Sequence, residues 1–197
     1  YQTIFYRQIG LKKQEEETGN SWRDDEGGYI YTFGTMDTIQ MGIGEYTVPV
    51  DFLSEFQYDT EYLHAGIIYE GITYSLVDNH MKEFATPSAF LAMEQAAGGI
   101  NCWKKGQHFK GVEISVELGY LRETLLPFLG LSAEALDFLE KKVRYLHLPE
   151  ELQDLIFRAE QLLRKQEMTE SLLKSLAAEF VSQLVRPEIR SVFANGE

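Results

Sequence analysis

The feature that most restricts the fold is a change in apolar periodicity near Gly119. Upstream, in "GVEISVEL" (111–118), Val112, Ile114, Val116 and Leu118 alternate with Glu113, Ser115 and Glu117, a period of two that gives a strand one buried and one wet face. Downstream, Leu136, Leu139 and Val143 recur three and four residues apart, as one helical face requires. Strand signals first and helical stripes afterwards predict an α+β chain, a β-rich module followed by a helical segment.

The upstream part reads as short β-branched or aromatic runs punctuated by Gly, Asn and Asp. The clearest are residues 3–9, 28–34, 38–48, 62–71, 72–77, 89–94, 99–103 and 111–118, with "NHMKEFATPS" (79–88) and the charged "KKQEEETGNSWRDDEGG" (12–28) as loops. So many short strands predict a sandwich or small barrel over residues 1–120. "GGINCWKKGQHFKGVEISVE" (98–117) reads as a β-hairpin turning at "KKGQHFK".

Three helices are expected over residues 121–186. "SAEALDFLEKKVRYL" (132–146) opens on Ser132, a good N-cap. "PEELQDLIFRAEQLLRKQ" (149–166) opens on Pro149, followed by Glu150 and Glu151, which suit the positive end of a helix. Thr169 caps a third helix that ends before Pro187 and packs antiparallel on the second through "KQEMT". Its stripe is wider than one neighbouring helix consumes. Either it packs on both the barrel and the second helix, or Leu172, Leu173, Leu176, Phe180 and Leu184 also form a homodimer interface.

The net charge of −13 is uneven: residues 1–100 carry 5 Lys/Arg against 16 Asp/Glu, and residues 101–197 carry 13 against 15. Neither half resembles a phosphate-binding surface, which needs clustered Lys and Arg. The acidic first half favours a neutral or cationic ligand over an anion. A single cysteine, Cys102, excludes an intrachain disulfide and fits a reducing, cytoplasmic location. No apolar run approaches the ~20 residues that cross a bilayer, so no membrane association is expected. The chain opens on Tyr1 and closes on "VFANGE", which reads as a piece of a longer protein.

No catalytic constellation, cofactor motif or metal-binding spacing stands out. His64, His80, His108 and His147 lack the spacing that sets two imidazoles on one face. A cupin-type metalloenzyme would have to assemble His64 and His108 with Glu70 or Glu113 from distant strands. Cys102 needs a base, and His108 across the turn lies too far round to serve. The glycines of "GGYIYTFG" lack the strand–loop–helix context of a phosphate site. The aromatic residues are the remaining signal. Tyr31, Phe33, Tyr46, Tyr69, Tyr74 and Trp103 lie on expected strands, where they fill a core or line a small-molecule pocket.

Taken together, "YLHAGIIYEGITYSLVD", "FLAMEQAAGGINCWKKGQHFKGVEISVELGYLRETLLPFLG", "LPEELQDLIFRAEQLL" and "SLLKSLAAEFVSQLV" resemble the N-terminal regulatory domain of AraC-family transcription factors. The resemblance implies a cupin-like barrel that senses a small-molecule effector without catalysis or cofactor, helices that dimerise, and DNA binding through a C-terminal helix-turn-helix pair. No such pair follows residue 186. Residues 187–197 resemble the start of a linker to a DNA-binding domain absent from this chain. A stand-alone barrel that binds a protein partner is the other non-enzymatic alternative.

Overall fold

The computed structural model describes residues 2–15, 19–57, 61–71, 73–77, 80–84, 86–94, 98–139 and 146–195, with side chains at 2–3, 56–57, 73–77, 80–84, 94, 98–99, 146–147 and 194–195 outside the description. Helix α1 (Gln2–Gln8) leads into strands β1 (Lys12–Gln14), β2 (Asn20–Arg23), β3 (Tyr29–Gly34), β4 (Ile39–Thr47), β5 (Phe52–Gln57) and β6 (Tyr62–Glu70). Next come β7 (Thr73–Val77), β8 (His80–Phe84), β9 (Ser88–Glu94), β10 (Gly98–Trp103) and β11 (His108–Glu117). Short helices α2 (Leu118–Tyr120) and α3 (Leu126–Phe128) flank a π-type turn at Leu121–Leu125. A 3-10 turn (Asp137–Leu139) and β12 (Leu146–His147) precede α4 (Glu150–Arg164), α5 (Glu170–Leu184) and α6 (Pro187–Asn195).

The strands form two antiparallel sheets. The larger runs β1-β2-β3-β4-β11-β6-β9-β12 and the smaller β5-β10-β7-β8. This is the expected α+β class, a double sheet followed by helices.

Each face of the larger sheet has its own partner. Ile39, Met41 and Ile43 of β4, Val112, Ile114 and Val116 of β11, and Leu63, Ala65 and Ile67 of β6 are buried in one cluster with the C-terminal helices. Helix α4 lies over β11 and β6, and α5 over β4. From α4 the cluster takes Leu152, Leu155, Ile156, Ala159 and Leu163, and from α5 Leu173, Leu176, Ala177, Phe180, Val181 and Leu184. Each fully buried aliphatic side chain contributes up to ~1.5–3 kcal/mol of transfer free energy, so this helix-side core carries most of the burial. The wide stripe on α5 is explained by three partners: the sheet, α4, and α6 through Ile189 and Phe193.

The opposite face looks toward the smaller sheet. Ile9, Leu11, Trp22, Ile30, Tyr46, Val48 and Trp103 form a second core at one end of the interior, and Phe5 and Tyr6 of α1 pack against it. Phe5 lies 4.9 Å from Trp103 and Tyr6 5.2 Å from Trp22, ring centre to ring centre.

Several local expectations are corrected. Residues 3–9 were expected as a strand for their aromatic content, but they wind into α1, because Phe5, Tyr6 and Ile9 then share one side and close the aromatic core. Two short strands, β1 and β2, occupy the charged loop, since Ser21 and Trp22 bury against β3. The loop at 79–88 contains β8, which pairs along β7, so pairing overrides its polar composition. Residues 132–139 form 3-10-type bonds rather than an α-helix, such as Leu139 N–H to Leu136 O at 2.9 Å. A spacing of three between Leu136 and Leu139 suits three residues per turn as well as 3.6; residues 140–145 lie outside the described set. Residues 187–195, within the segment 187–197 read as the start of a linker, form helix α6, for which Pro187 is a suitable first residue.

The expected β10–β11 hairpin is a crossover between sheets. β10 pairs with β5 and β7, whereas β11 pairs with β4 and β6. Its turn is tied to the β4–β5 connection instead of to itself. Val48 N–H bonds Gln107 O at 2.9 Å, Gly106 N–H bonds Val48 O at 2.8 Å, and Lys105 N–H bonds Asp51 Oδ1 at 2.7 Å. Gly106 sits at φ +81°, where a side chain would be strained. Thr169 caps α5 as expected, its hydroxyl accepting from Leu172 N–H at 3.2 Å.

Candidate functional site

The site is built from the inward row of the larger sheet. Register sets Thr32, Gly42, Glu113, Gly66 and Phe90 side by side across β3, β4, β11, β6 and β9, and sets Gln40, Ser115, His64 and Ala92 in the next row. The two glycines flanking Glu113 withdraw side chains from its neighbourhood. At Gly66 a Cβ would run into the Val112 carbonyl and approach the Phe90 ring to 3.0 Å, so only glycine lets that ring lie over the strand.

Three polar side chains meet here. His64 Nδ1 lies 2.9 Å from Ser115 Oγ and 3.0 Å from Glu113 Oε1, and the Ser115 hydroxyl donates to the same Oε1 at 3.1 Å. A carboxylate accepts only, so Nδ1 carries the proton that it donates to Glu113. His64 and Ser115 are buried, yet the Glu113 side chain is 50% exposed although it points between two sheets. Space open to solvent therefore reaches into the barrel at Glu113. Burial, and then the Glu113 charge, push the Tyr6 phenol above its ordinary range.

The arrangement does not form a nucleophilic triad. Serine and carboxylate converge on the same ring nitrogen, so the imidazole cannot relay a proton between them. Nor does the metalloenzyme set assemble. His64 faces the interior, whereas His108 lies on the other face of the sheet, with Nε2 3.3 Å from Glu45 Oε1 and 3.7 Å from Glu70 Oε2. Among the described residues no group of three His, Cys, Asp or Glu is arranged to hold a metal ion.

No protein-family model and no curated protein sequence matches the chain. Solved structures do. An AraC-like transcriptional activator, CuxR, superposes with a TM-score of 0.54 at 10% identity, covering 98% of this chain and 66% of that one. The fold is similar to that of this activator. A cupin superfamily protein from Desulfitobacterium hafniense DCB-2 matches 48% of this chain and 81% of its own at 14% identity and TM-score 0.34. The polyketide cyclase RemF from Streptomyces resistomycificus matches 55% and 75% at 10% identity and TM-score 0.36. This chain spans just under two thirds of the AraC-like activator's length.

Within this fold the aromatic candidates divide between the two cores. Tyr46 and Trp103 belong to the interior aromatic end, where Trp103 Nε1 donates to Ser54 Oγ at 3.3 Å. Tyr31, Phe33 and Tyr69 lie on the helix side and do not line the interior. Tyr74 sits opposite Cys102 in register, and its side chain lies outside the described residues. The alternation of β11 revealed two faces but gave no sign that the polar one points inward, so Ser115, Gln40 and Thr32 went unselected.

Tyr69 instead joins a polar clasp between sheet and helix. Its hydroxyl donates to Glu160 Oε2 at 2.5 Å, and Arg164 donates to Glu160 Oε1 through Nε at 2.9 Å and Nη2 at 2.7 Å. Arg164 Nη1 also reaches the Tyr29 hydroxyl at 2.5 Å. Burial, then the bond to Glu160, holds the Tyr69 phenol well above its ordinary range. Burial alone would lower the Arg164 pKa, but its bonds to Glu160 and Tyr29 outweigh this and raise it.

Of the five proposed interface residues, Leu173, Leu176, Phe180 and Leu184 are buried within the chain, and Leu172 is exposed. The helices also leave Phe157 and Val192 in solvent. Among the described residues no helix is long and apolar enough to cross a membrane.

Proposed function

We propose that this chain is the effector-sensing region of an AraC-like transcription regulator, working in the cytoplasm. The barrel takes a small organic molecule, and its occupancy is passed through the helices to a DNA-binding segment other than residues 1–197. The observation that carries the reading is the contrast between the two faces of the larger sheet. The helix face is packed apolar core, while the inward face is polar and open to solvent at Glu113. Ligand pockets combine apolar walls with a few converging polar groups, as at the interior end formed by Tyr46, Trp103, Phe5 and Tyr6. The clasp at Glu160 offers a mechanical link, because it ties β3 and β6 to α4. The likeness in fold to an AraC-like activator supports the regulatory assignment.

A homodimer would form through apolar side chains that the helices leave in solvent, Phe157 and Leu172 among them. The ligand claim is tested by tryptophan fluorescence against a metabolite panel, since both tryptophans, Trp22 and Trp103, lie in the interior core. Saturable changes are expected for a compact set of compounds. A panel that leaves both the emission and the melting temperature unchanged counts against the reading. Light scattering tests the dimer, which Phe157→Glu should dissociate.

A further inference from the structure

We infer that the barrel interior selects a small organic cation, an ammonium or amidinium group seated on Glu113 with an apolar body against the aromatic end. The inference rests on the reading of the barrel as a ligand site and names the ligand class.

Glu113 stands on β11, a central strand of the larger sheet, and points at the smaller one, yet half of its side chain is reached by solvent. Both of its internal donors, the Ser115 hydroxyl and His64 Nδ1–H, converge on Oε1. Oε2 keeps its acceptor capacity among the described residues. His64, as an Nδ1–H donor, need not carry a charge, and no described Lys or Arg pairs with Glu113. With His64 neutral, the site presents a carboxylate whose negative charge no described Lys or Arg cancels.

The charge decides between ligand classes. A hydroxyl donor could fill Oε2, but enclosing the carboxylate beneath a neutral ligand would desolvate a charge without compensation, which costs several kcal/mol in low dielectric. A cationic donor satisfies the acceptor and cancels the charge together, through a hydrogen bond about twice as strong as a neutral one. An anion is repelled. The walls fit the same class. Gly42 and Gly66 leave room beside Glu113, and the Phe90 ring lies over Gly66, so an aromatic face borders the site. Such faces attract cations.

The experiment uses the full chain and three probes that share one body: benzylamine (cation), benzyl alcohol (neutral) and benzoate (anion). Calorimetry and tryptophan fluorescence are read together. Saturable benzylamine binding is expected, with benzyl alcohol at least about tenfold weaker and benzoate silent, the ratio corresponding to one charge-assisted hydrogen bond. Glu113→Gln, which keeps shape and internal bonds, should weaken benzylamine about tenfold or more and leave benzyl alcohol unchanged. Equal binding of the amine and the alcohol, or an unaffected Glu113→Gln variant, overturns the cation class while the barrel remains a ligand site. Silence from all three probes overturns both readings.

Discussion

Glu160→Ala tests whether the clasp between helix α4 and the sheet holds the fold as argued. The Glu160 side chain is 3% exposed and accepts three hydrogen bonds, one from Tyr69 and two from Arg164. Removing one partner of a fully buried ion pair costs about 3–5 kcal/mol, mainly because the other charge is left uncompensated. Here the stranded Arg164 side chain is 29% exposed and keeps its bond to Tyr29, so water recovers part of its charge. The Tyr69 hydroxyl is also half-buried rather than enclosed. A loss of about 2–3 kcal/mol is therefore expected, at or below the lower limit for fully buried pairs. For a chain of this size each kcal/mol shifts the melting temperature by about 2–4 °C, so the midpoint should fall by about 4–12 °C. Urea unfolding followed by circular dichroism gives the free energy directly. Arg164→Ala and the double variant complete a cycle whose coupling should exceed about 1 kcal/mol. A Glu160→Ala variant within about 0.5 kcal/mol of the parent, with no coupling to Arg164, would refute the idea that these groups join helix to sheet.

Other outcomes follow from the same geometry. Thr169→Ala removes the hydroxyl that caps α5 and should cost about 1 kcal/mol in urea unfolding, with Thr169→Ser restoring most of it. Leu152, fully buried between α4 and the sheet, should lose about 2–5 kcal/mol on truncation to alanine, whereas Leu172→Ala on the exposed face should stay within about 0.5 kcal/mol. Gly66→Ala forces a Cβ against the Val112 carbonyl and should lower soluble yield and melting temperature sharply, where Gly27→Ala, in open space but at φ +96°, should cost far less. The Tyr69 phenol has a folded pKa above its unfolded value of about 10, so its contribution is complete below that pH and fades as pH rises toward the folded pKa. Urea midpoints should thus decline above about pH 10, and Tyr69→Phe should decline less steeply.

The sequence by itself determined the order of the architecture. A period of two before Gly119 and a period between three and four after it sufficed for strands then helices, because periodicity reports which side of an element is buried. It also determined α4 and α5 with their ends, since Pro149, Thr169 and Pro187 act through local backbone chemistry. What it left open was the partner of each buried side. In β11 the valines and isoleucine were legible as a buried face, but their partner is the helical segment, and the polar residues between them point into the barrel. That assignment arises from contacts between residues far apart in sequence, such as His64 with Ser115 and Tyr69 with Glu160. The same non-local pairing parted β10 from β11, because each found longer partners elsewhere than in the other. It also turned α1 and α6, short segments with weak signals of their own, into covers for the two cores. The chain's alternation specified two faces for each strand, and the tertiary structure alone decided which face would enclose solvent.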